Sequence, residues 1–221
     1  MRSFGSPEFL FMLQAARWTV ILSVIAYLGG GALGLGLAFM RVSGNRILSG
    51  VARAWILLFQ CTPLLMLLFL VFFGLALTGW GQNAYVAVTV ALSSYAGAYF
   101  GEIWRGAIEA VPDGQWQASA ALGFTRYEQF RHVIVPQSVR IAVPPTVGFM
   151  VQIIKNTSLA SIIGFQELTQ ASQFVNNLTF QPISVYLVAA AIYFILCFPL
   201  TLLSRRLEKR LHVDRPSPVA S

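Results

Sequence analysis

Charged residues are scarce in this sequence: only 10% of its 221 residues are Asp, Glu, Lys or Arg, whereas 57% are hydrophobic. A soluble globular domain carries roughly 25% charged residues. The polar side chains available are too few to cover a water-exposed globule of this size. The composition therefore excludes an ordinary soluble domain and favours an integral membrane protein.

Reactive and metal-binding residues are also few. The sequence has two cysteines, Cys61 and Cys197, and two histidines, His132 and His212. Both cysteines fall inside apolar runs, which favours buried, hydrophobic side chains over a disulfide or a metal pair. The histidines lie far apart, without cysteine or carboxylate neighbours at ligand spacing, and no HExxH pattern occurs. We therefore expect no metal site.

Nucleotide-binding motifs are missing as well. No GxxxxGK[ST] pattern occurs, so we expect no ATP or other cofactor on this chain. Gly29, Gly31 and Gly34 fit the pattern GxGxxG, but they lie in an apolar run and follow no strand of a βαβ unit. Small residues in that setting favour close helix packing in a membrane over a dinucleotide site.

Five apolar runs are long enough to cross a hydrocarbon layer of about 30 Å. The sequence thus predicts an all-α integral membrane protein with five transmembrane helices. Residues 1–14 are expected at the membrane interface, residues 15–210 in a single transmembrane domain, and residues 211–221 in a tail. The predicted spans are 15–40, 54–77, 84–104, 141–165 and 183–203. Within the second, Pro63 should kink or break the helix.

Basic residues are confined to alternate connections between these spans. Arg41, Arg46 and Arg53 follow the first span, whereas the second and fourth connections contain no Lys or Arg. The positive-inside rule then places the N-terminus in the periplasm and the C-terminus in the cytoplasm of a bacterial inner membrane, although Arg2 and Arg17 argue mildly against it. Because this asymmetry accounts for the net charge of +7, we expect no nucleic-acid partner.

The longest polar interval between two apolar runs covers residues 109–136. Asp113 is placed to cap a first short helix and Gly123 to end it. Thr125 begins a sequence with capping-box spacing, so it is expected to start a second helix, which Pro136 should end. Helices this short cannot cross a bilayer. We expect a compact helical segment between the third and fourth spans, outside the membrane and shaped to fit a partner.

The same interval resembles a known sequence element. The segment QASAALG, followed after nine residues by VIVP, resembles the EAA loop of permease subunits of ABC importers, the element that couples a permease to its ATPase. Gln117 replaces the Glu of that pattern and Ser119 replaces an Ala. Gln117 can make only a neutral hydrogen bond, which is weaker than a charge-assisted one. The resemblance assigns ATPase coupling to Gln117, Ala118, Ala121, Gly123, Phe124 and Pro136.

Three further segments resemble the polar amino acid branch of this family: TPLL at 62–65, AYFGEIWRGAI at 98–108 and KNTSLASIIG at 155–164. Each segment is weak evidence alone, but the ordered set is strong. The resemblance implies a type I importer that carries a polar amino acid into the cytoplasm by alternating access. It also implies a pair of cytoplasmic ATPase subunits holding ATP and Mg, a second permease subunit (identical or a sister chain), and a periplasmic substrate-binding protein.

Lys155 stands near the middle of the fourth predicted span. A charge at a helix centre costs about 2.5–3.5 kcal/mol on insertion scales, so it must face protein or water. Lys155 either lines a substrate pathway, where it would meet a carboxylate, or ties its helix to a neighbour. The other candidate pathway residues are Gln60, Thr62, Tyr95, Tyr99, Asn156, Thr157 and Ser158. For Asn156, Thr157 and Ser158, interhelical hydrogen bonding is the alternative.

Glu102 and Arg105 lie three residues apart at the inner end of the third predicted span. At this spacing the two side chains can pair on one helix face. We interpret them as a structural or gate pair rather than as direct ligand contacts.

Two other functions, an ion-coupled carrier and an intramembrane enzyme, each predict sequence features of their own. An ion-coupled secondary amino acid carrier is expected to show internal repeats with helices broken at matching positions, and five spans do not divide into equal halves. An intramembrane enzyme needs a nucleophile, base or metal set within the spans, and none stands out. The sequence therefore favours a transport subunit over a carrier or an enzyme.

Overall fold

The computed structural model describes residues 4–77 and 82–211, and within these ranges every regular element is helical. The elements, in chain order, are α1 (Ser6–Val42), α2 (Arg46–Cys61), α3 (Leu64–Leu77), α4 (Ala84–Glu109), α5 (Asp113–Ala121), α6 (Arg126–Glu128), a π-helix (Gln129–Ile134), α7 (Val135–Asn156), a 3₁₀ helix (Thr157–Ile163), α8 (Leu168–Thr179) and α9 (Pro182–Leu211). The predicted tail lies outside the described residues except for Leu211.

Four stretches of helix in the described chain are long and apolar enough to cross a membrane: α1, α4, the run from Arg126 to Ile163, and α9. Helices α2 and α3 form a fifth candidate if they are taken together, and they meet at 105°. The prediction of an all-helical membrane protein is confirmed. The break between α2 and α3 falls at Thr62 and Pro63, as the sequence predicts, because proline has no N–H to continue the helix ladder.

Several helix ends differ from the predicted ones. Helix α1 begins at Ser6 rather than at residue 15, with Pro7 in its first turn and the Glu8 carboxylate accepting from the Gly5 N–H at 3.1 Å. Pro and an acidic residue both favour a helix start. Arg46 and Arg53, expected in a loop, lie in α2, which Asn45 caps by accepting from the Ile47 N–H at 2.9 Å.

The predicted end of the first short helix is confirmed at Gly123. This glycine has a φ of +83°, its N–H donates to the Ala120 carbonyl at 3.0 Å, and the Phe124 N–H donates to the Ser119 carbonyl at 3.2 Å. The two bonds form a Schellman motif, which requires a left-handed residue at this position. The prediction that Asp113 caps this helix is wrong. Pro112 occupies the N-cap position, no side chain makes a capping hydrogen bond there, and Asp113 is the first residue of the helix.

The second predicted short helix begins as expected but does not end at Pro136. Thr125 forms the capping box with Glu128, whose carboxylate accepts from the Thr125 N–H at 2.8 Å. The helix then passes through the π-helix into α7, and the Val135 N–H donates to the carbonyl of Phe130, five residues back. The wider π-turn lets the chain continue past a proline, which lacks an N–H and crowds the preceding turn. Residues 126–136 therefore belong to a long helix.

Close packing of α1 on α4 forms the centre of the molecule. A Cβ added to Gly30 would lie 2.5 Å from the Ala96 Cβ, and one added to Gly34 would lie 2.6 Å from the Phe100 Cβ. Small residues thus let the two backbones approach, as the sequence indicates, although Gly30 rather than Gly31 makes the contact. The buried core around this contact includes Leu22, Ala26, Val88, Leu92 and Phe100.

The connection between the fourth and fifth predicted spans contains a helix that the sequence did not predict. Helix α8 lies within the interval expected to be a loop, and it packs against α1 and α9. Helix α9 then runs without a break to Leu211, so the basic residues Arg205 to Arg210 continue the helix beyond the predicted end of the last span at residue 203.

Candidate coupling surface and transport pathway

The candidate coupling surface is the knuckle, which we define as α5 with its flanking turns, residues 112–124. Five of the six residues assigned to coupling lie in it, and all six are exposed: Gln117, Ala118, Ala121, Gly123, Phe124 and Pro136. Ser119 is buried, and its hydroxyl donates to the carbonyls of Gln115 at 2.8 Å and Trp116 at 3.0 Å. Serine in place of the family's alanine therefore changes the inner side of α5 and leaves its exposed side unaltered.

Large apolar side chains surround the exposed face of the knuckle. Leu122 is 77% exposed, Tyr127 71% and Phe124 39%. These residues lie within the polar interval 109–136, where an exposed apolar patch favours contact with another protein. The surface thus combines the small exposed residues of α5 with large, exposed apolar side chains beside them.

Two glutamines fasten the knuckle to the helix that follows it. Gln129 is buried and its Nε2 donates to the Phe124 carbonyl at 2.8 Å. The Nε2 of Gln137 donates to the Gln115 Oε1 at 3.2 Å and to the Val133 carbonyl at 2.9 Å. Sequence reasoning missed both residues, because a glutamine in a polar stretch of helix gives no signal of its partner. These bonds link α5 and the turn after it to the π-helix and the start of α7.

An aromatic cluster joins α4 to α7 within the spanning region. The ring centroids of Tyr95 and Tyr99 are 4.7 Å apart, and the Phe149 ring stacks on Tyr99 at 4.9 Å. Asn156 lies beside Tyr95 and accepts from Gln152 Nε2 at 3.0 Å. The Asn156 amide nitrogen is buried and has no hydrogen-bond partner among the described residues. The structure thus brings Tyr95, Tyr99 and Asn156 together around an unused polar group.

The other candidate pathway residues occupy different settings. Thr157 is fully buried, and its hydroxyl donates to the Ile154 carbonyl at 2.8 Å. The Ser158 hydroxyl donates to the Lys155 carbonyl at 2.7 Å. Gln60 faces α4, with its Nε2 3.5 Å from the Ala98 carbonyl, and Thr62 lies at the break between α2 and α3.

Lys155 lies in the last turn of α7, just before the 3₁₀ helix, rather than at the centre of a span. The position differs from the predicted one because the continuous helix begins at Arg126 instead of residue 141. The side chain is exposed, and no carboxylate in residues 4–77 or 82–211 lies within ion-pair distance. An exposed, unpaired ammonium on a spanning helix requires water or another protein beside it.

The predicted pairing of Glu102 with Arg105 is present and includes a third residue. The Arg105 Nε donates to the Glu102 Oε2 at 3.0 Å, and its terminal nitrogens contact the carboxylates of Glu102 and Glu109. Glu109 stands four residues after Arg105, a spacing that favours such a pair. Arg105 thus holds two carboxylates at the end of α4 that leads into the knuckle.

A buried carboxylate at the start of α8 is a feature that sequence reasoning did not single out. Glu167 is fully buried, accepts from the Tyr193 hydroxyl at 2.9 Å and the Thr19 hydroxyl at 3.4 Å, and caps α8 through the Gln170 N–H at 3.0 Å. Burial raises the pKa of Glu167, and the hydrogen bonds to the carboxylate oppose that shift. The residue ties α8 to α1 and α9.

These features define a helical membrane protein with an exposed coupling-type knuckle, the architecture of a transporter subunit. The family model for the inner-membrane component of binding-protein-dependent transport systems matches residues 30–213. The chain belongs to this family.

Individual relatives match over most of their length. The glutamine transport system permease protein GlnP of Escherichia coli K12 is 32% identical over 209 residues, 94% of this chain and 95% of GlnP. The L-cystine transport system permease protein TcyB of Bacillus subtilis is 35% identical over 196 residues, 88% of this chain and 83% of TcyB. A crystal structure of an amino acid ABC transporter with histidines superposes with a TM-score of 0.86 at 31% identity, covering 90% of this chain and 94% of that one.

Family membership confirms the interpretation as a permease subunit of an ABC importer of the amino acid type and as a transport component rather than an enzyme. It also makes the chain a multi-pass inner-membrane protein that associates with an ATPase and a substrate-binding protein in a transporter complex. Nothing in the comparisons supports the ion-coupled carrier.

Proposed function

We propose that this permease carries a polar amino acid into the cytoplasm, driven by ATP and Mg held on a separate pair of ATPase subunits. The observation that carries the proposal is the exposed knuckle on a chain whose full-length relatives are named glutamine and L-cystine permeases. The distribution of basic residues supports a knuckle in the cytoplasm, an N-terminus in the periplasm and a C-terminus in the cytoplasm.

The proposed assembly contains a second permease subunit, identical or a sister chain. Lys155 and Gln152 are exposed on one helix of the spanning region, and lipid is a poor environment for such side chains. A second permease and a water-filled path between the two subunits would cover them. A periplasmic binding protein would deliver the substrate at the opposite end of the molecule from the knuckle.

Coupling follows from the contacts between the knuckle and the long helix that begins at Arg126. When ATP draws the ATPase subunits together, each would displace the α5 that it holds. The bonds of Gln129 and Gln137 transmit this displacement to the π-helix and the first turn of α7. Helix α7 carries Phe149, which stacks on Tyr99 of α4, so rigid-body motion of α7 would rearrange the aromatic cluster. Alternating access would result from this rearrangement.

Within the pathway, the proposed contacts are Tyr95, Tyr99, Asn156 and Lys155. The unpaired Asn156 amide nitrogen is a hydrogen-bond donor that lacks a protein acceptor among the described residues, and the Lys155 ammonium is a charge without a carboxylate partner there. Both groups suit the carboxylate that every amino acid carries. Glu102 and Arg105 would act as a lock at the inner end of α4.

Replacing Lys155 by alanine tests the proposed function. A hydrogen bond to a charged group contributes about 1.5–3 kcal/mol, so we expect amino acid uptake to fall roughly tenfold or more. Uptake of labelled amino acid is measured in proteoliposomes containing the permease, its ATPase and its binding protein. The Lys155→Arg variant, which keeps the charge, should retain most of the uptake.

The matched control is Arg140→Ala, which removes an exposed basic residue near the other end of the same helix. This variant should transport normally. Normal uptake by Lys155→Ala, with the ATPase still bound, would remove Lys155 from the pathway. Absence of amino acid uptake by the unmodified complex, over a panel of polar amino acids, would contradict the proposed substrate class.

A further inference from the structure

A groove of about 350 Å³ lies between α1, α4 and α7, next to the π-helix. Its walls include Leu35 and Phe39 of α1, Trp104 of α4 and Val139 of α7. At one end the Phe39 ring meets the Phe130 ring of the π-helix, with centroids 6.4 Å apart. The groove therefore adjoins the helical segment that connects the knuckle to the spans.

Polar groups on the α4 and α7 walls of the groove are already hydrogen-bonded within the protein. The Ser138 hydroxyl donates to the Val135 carbonyl at 3.0 Å, and the Thr146 hydroxyl donates to the Ala142 carbonyl at 2.7 Å. The Trp104 Nε1 donates to the Thr146 hydroxyl at 2.9 Å. An occupant of the groove would consequently find mainly apolar contacts.

The mouth of the groove opens onto an apolar face of α1. Leu35 is 50% exposed, Phe39 51% and Val139 51%. Val24 and Leu28 extend the same face of α1 at helical spacing, and they are 41% and 66% exposed. A uniformly apolar face on a spanning helix suits lipid. Acyl chains rather than water would therefore meet the mouth.

Two exposed arginines lie close in sequence to Phe130, whose ring meets Phe39 at one end of the groove. Arg126 and Arg131 stand on either side of Phe130 in sequence, both are exposed, and neither pairs with a carboxylate in the described part of the chain. Glu128, between them, is held by the Thr125 N–H and hydroxyl, each at 2.8 Å. The end of the groove nearest the knuckle thus carries free positive charge, which complements an anionic headgroup.

We propose that this groove binds one acyl chain of an anionic phospholipid of the cytoplasmic leaflet, with the headgroup phosphate at Arg126 and Arg131. The proposal rests on the proposed function for one point, the cytoplasmic position of the knuckle. The bound chain fills the space beside Phe130 and stiffens the link between α5 and α7. Transport is then faster in bilayers that contain anionic lipid than in bilayers that do not.

Trp104 provides the probe, since it lines the groove. A variant that keeps Trp104 and has the other four tryptophans changed to phenylalanine is placed in phosphatidylcholine nanodiscs with a minor fraction of brominated-chain lipid. Brominated phosphatidylglycerol should quench Trp104 more strongly than brominated phosphatidylcholine at equal fraction. The preference of the groove for phosphatidylglycerol over phosphatidylcholine should reach about fivefold for each arginine that contacts the phosphate. The double variant Arg126→Gln, Arg131→Gln should remove it.

A second single-tryptophan variant, which keeps Trp18, is the control. Trp18 is 43% exposed and lies far along α1 from the groove, so both brominated lipids should quench it equally. Equal quenching of Trp104 by the two lipids would overturn the anionic site. Quenching of Trp18 with none of Trp104 would overturn the lipid proposal too, because it would show the groove covered by protein, such as a second copy of the chain.

Amino acid uptake in proteoliposomes of the same lipids separates this proposal from the proposed function. Normal uptake without headgroup-selective quenching of Trp104 rejects the lipid site and leaves the proposed function intact. Headgroup-selective quenching in a complex that transports no amino acid supports the lipid site and rejects the proposed function.

Discussion

Replacing Gly123 by valine is expected to uncouple ATP hydrolysis from transport while leaving the membrane-spanning helices folded. Gly123 has a φ of +83° and closes α5 through its N–H and that of Phe124. A left-handed conformation costs an ordinary residue roughly 1–2 kcal/mol, and a β-branched residue more. Since about 1.4 kcal/mol changes an equilibrium tenfold, transport per ATP hydrolysed should fall about tenfold. Both rates are measured on one proteoliposome preparation.

Two variants control this experiment. Gly123→Asn should keep most of the coupling, because asparagine tolerates the left-handed region better than other residues with a side chain. Gly114→Ala replaces a glycine inside α5, where φ is not positive and a Cβ would meet no atom within 4 Å apart from its chain neighbours and the helix's own backbone. It should transport normally. A normal ratio of transport to hydrolysis in Gly123→Val would contradict the role of the knuckle in coupling.

Replacing Glu167 by alanine is expected to lower the free energy of unfolding substantially. Changing Glu167 to alanine removes the acceptor of the Tyr193 and Thr19 hydroxyls and the cap of α8 at Gln170. Interhelical hydrogen bonds in membranes contribute about 0.6–2 kcal/mol each, and a lost cap typically costs about 1 kcal/mol. The free energy of unfolding should therefore drop by roughly 2–5 kcal/mol. Denaturant titration in detergent micelles, followed by circular dichroism, measures the change.

Two smaller substitutions at the same site show how much individual hydrogen bonds contribute to the free energy of unfolding. Glu167→Gln keeps the shape and one acceptor oxygen, so it should cost about 1 kcal/mol. Tyr193→Phe removes a single hydroxyl and should cost a similar amount. Glu167→Ala within about 0.5 kcal/mol of the unmodified protein would show that the buried carboxylate does not hold α8 to α1 and α9.

Much of the fold follows from local chemistry in the sequence. Apolar runs predict the spanning helices, Pro63 predicts the break, and Gly123 and Thr125 predict the end of one helix and the start of the next. The spans depend on the length of the apolar runs, whereas the break and the two helix ends depend on a backbone preference of the residue itself or on a side chain three residues away. Such preferences can be inferred without knowing any tertiary contact.

The remaining features depend on contacts between distant residues. A π-turn carries the helix past Pro136, and no short sequence pattern predicts that turn. Glu167 interacts with Thr19 and Tyr193, which lie far away in sequence, so its burial could not be inferred from its neighbours. The pairing of Gln137 with Gln115 likewise depends on how α5 folds back on the long helix. The roles assigned to the knuckle and the pathway stay predictions.

The central claim is that α5 docks on a cytoplasmic ATPase, and a cysteine crosslink tests it most directly. Ala121 is exposed at the end of α5. It is changed to cysteine in a chain from which Cys61 and Cys197 have been removed, and the chain is co-expressed with ATPase subunits carrying single cysteines. We predict a specific crosslink to one surface of the ATPase, with a yield that changes on addition of ATP. Absence of a crosslink, with the introduced thiol labelled only by reagents added outside the cell, would contradict both the coupling role and the orientation.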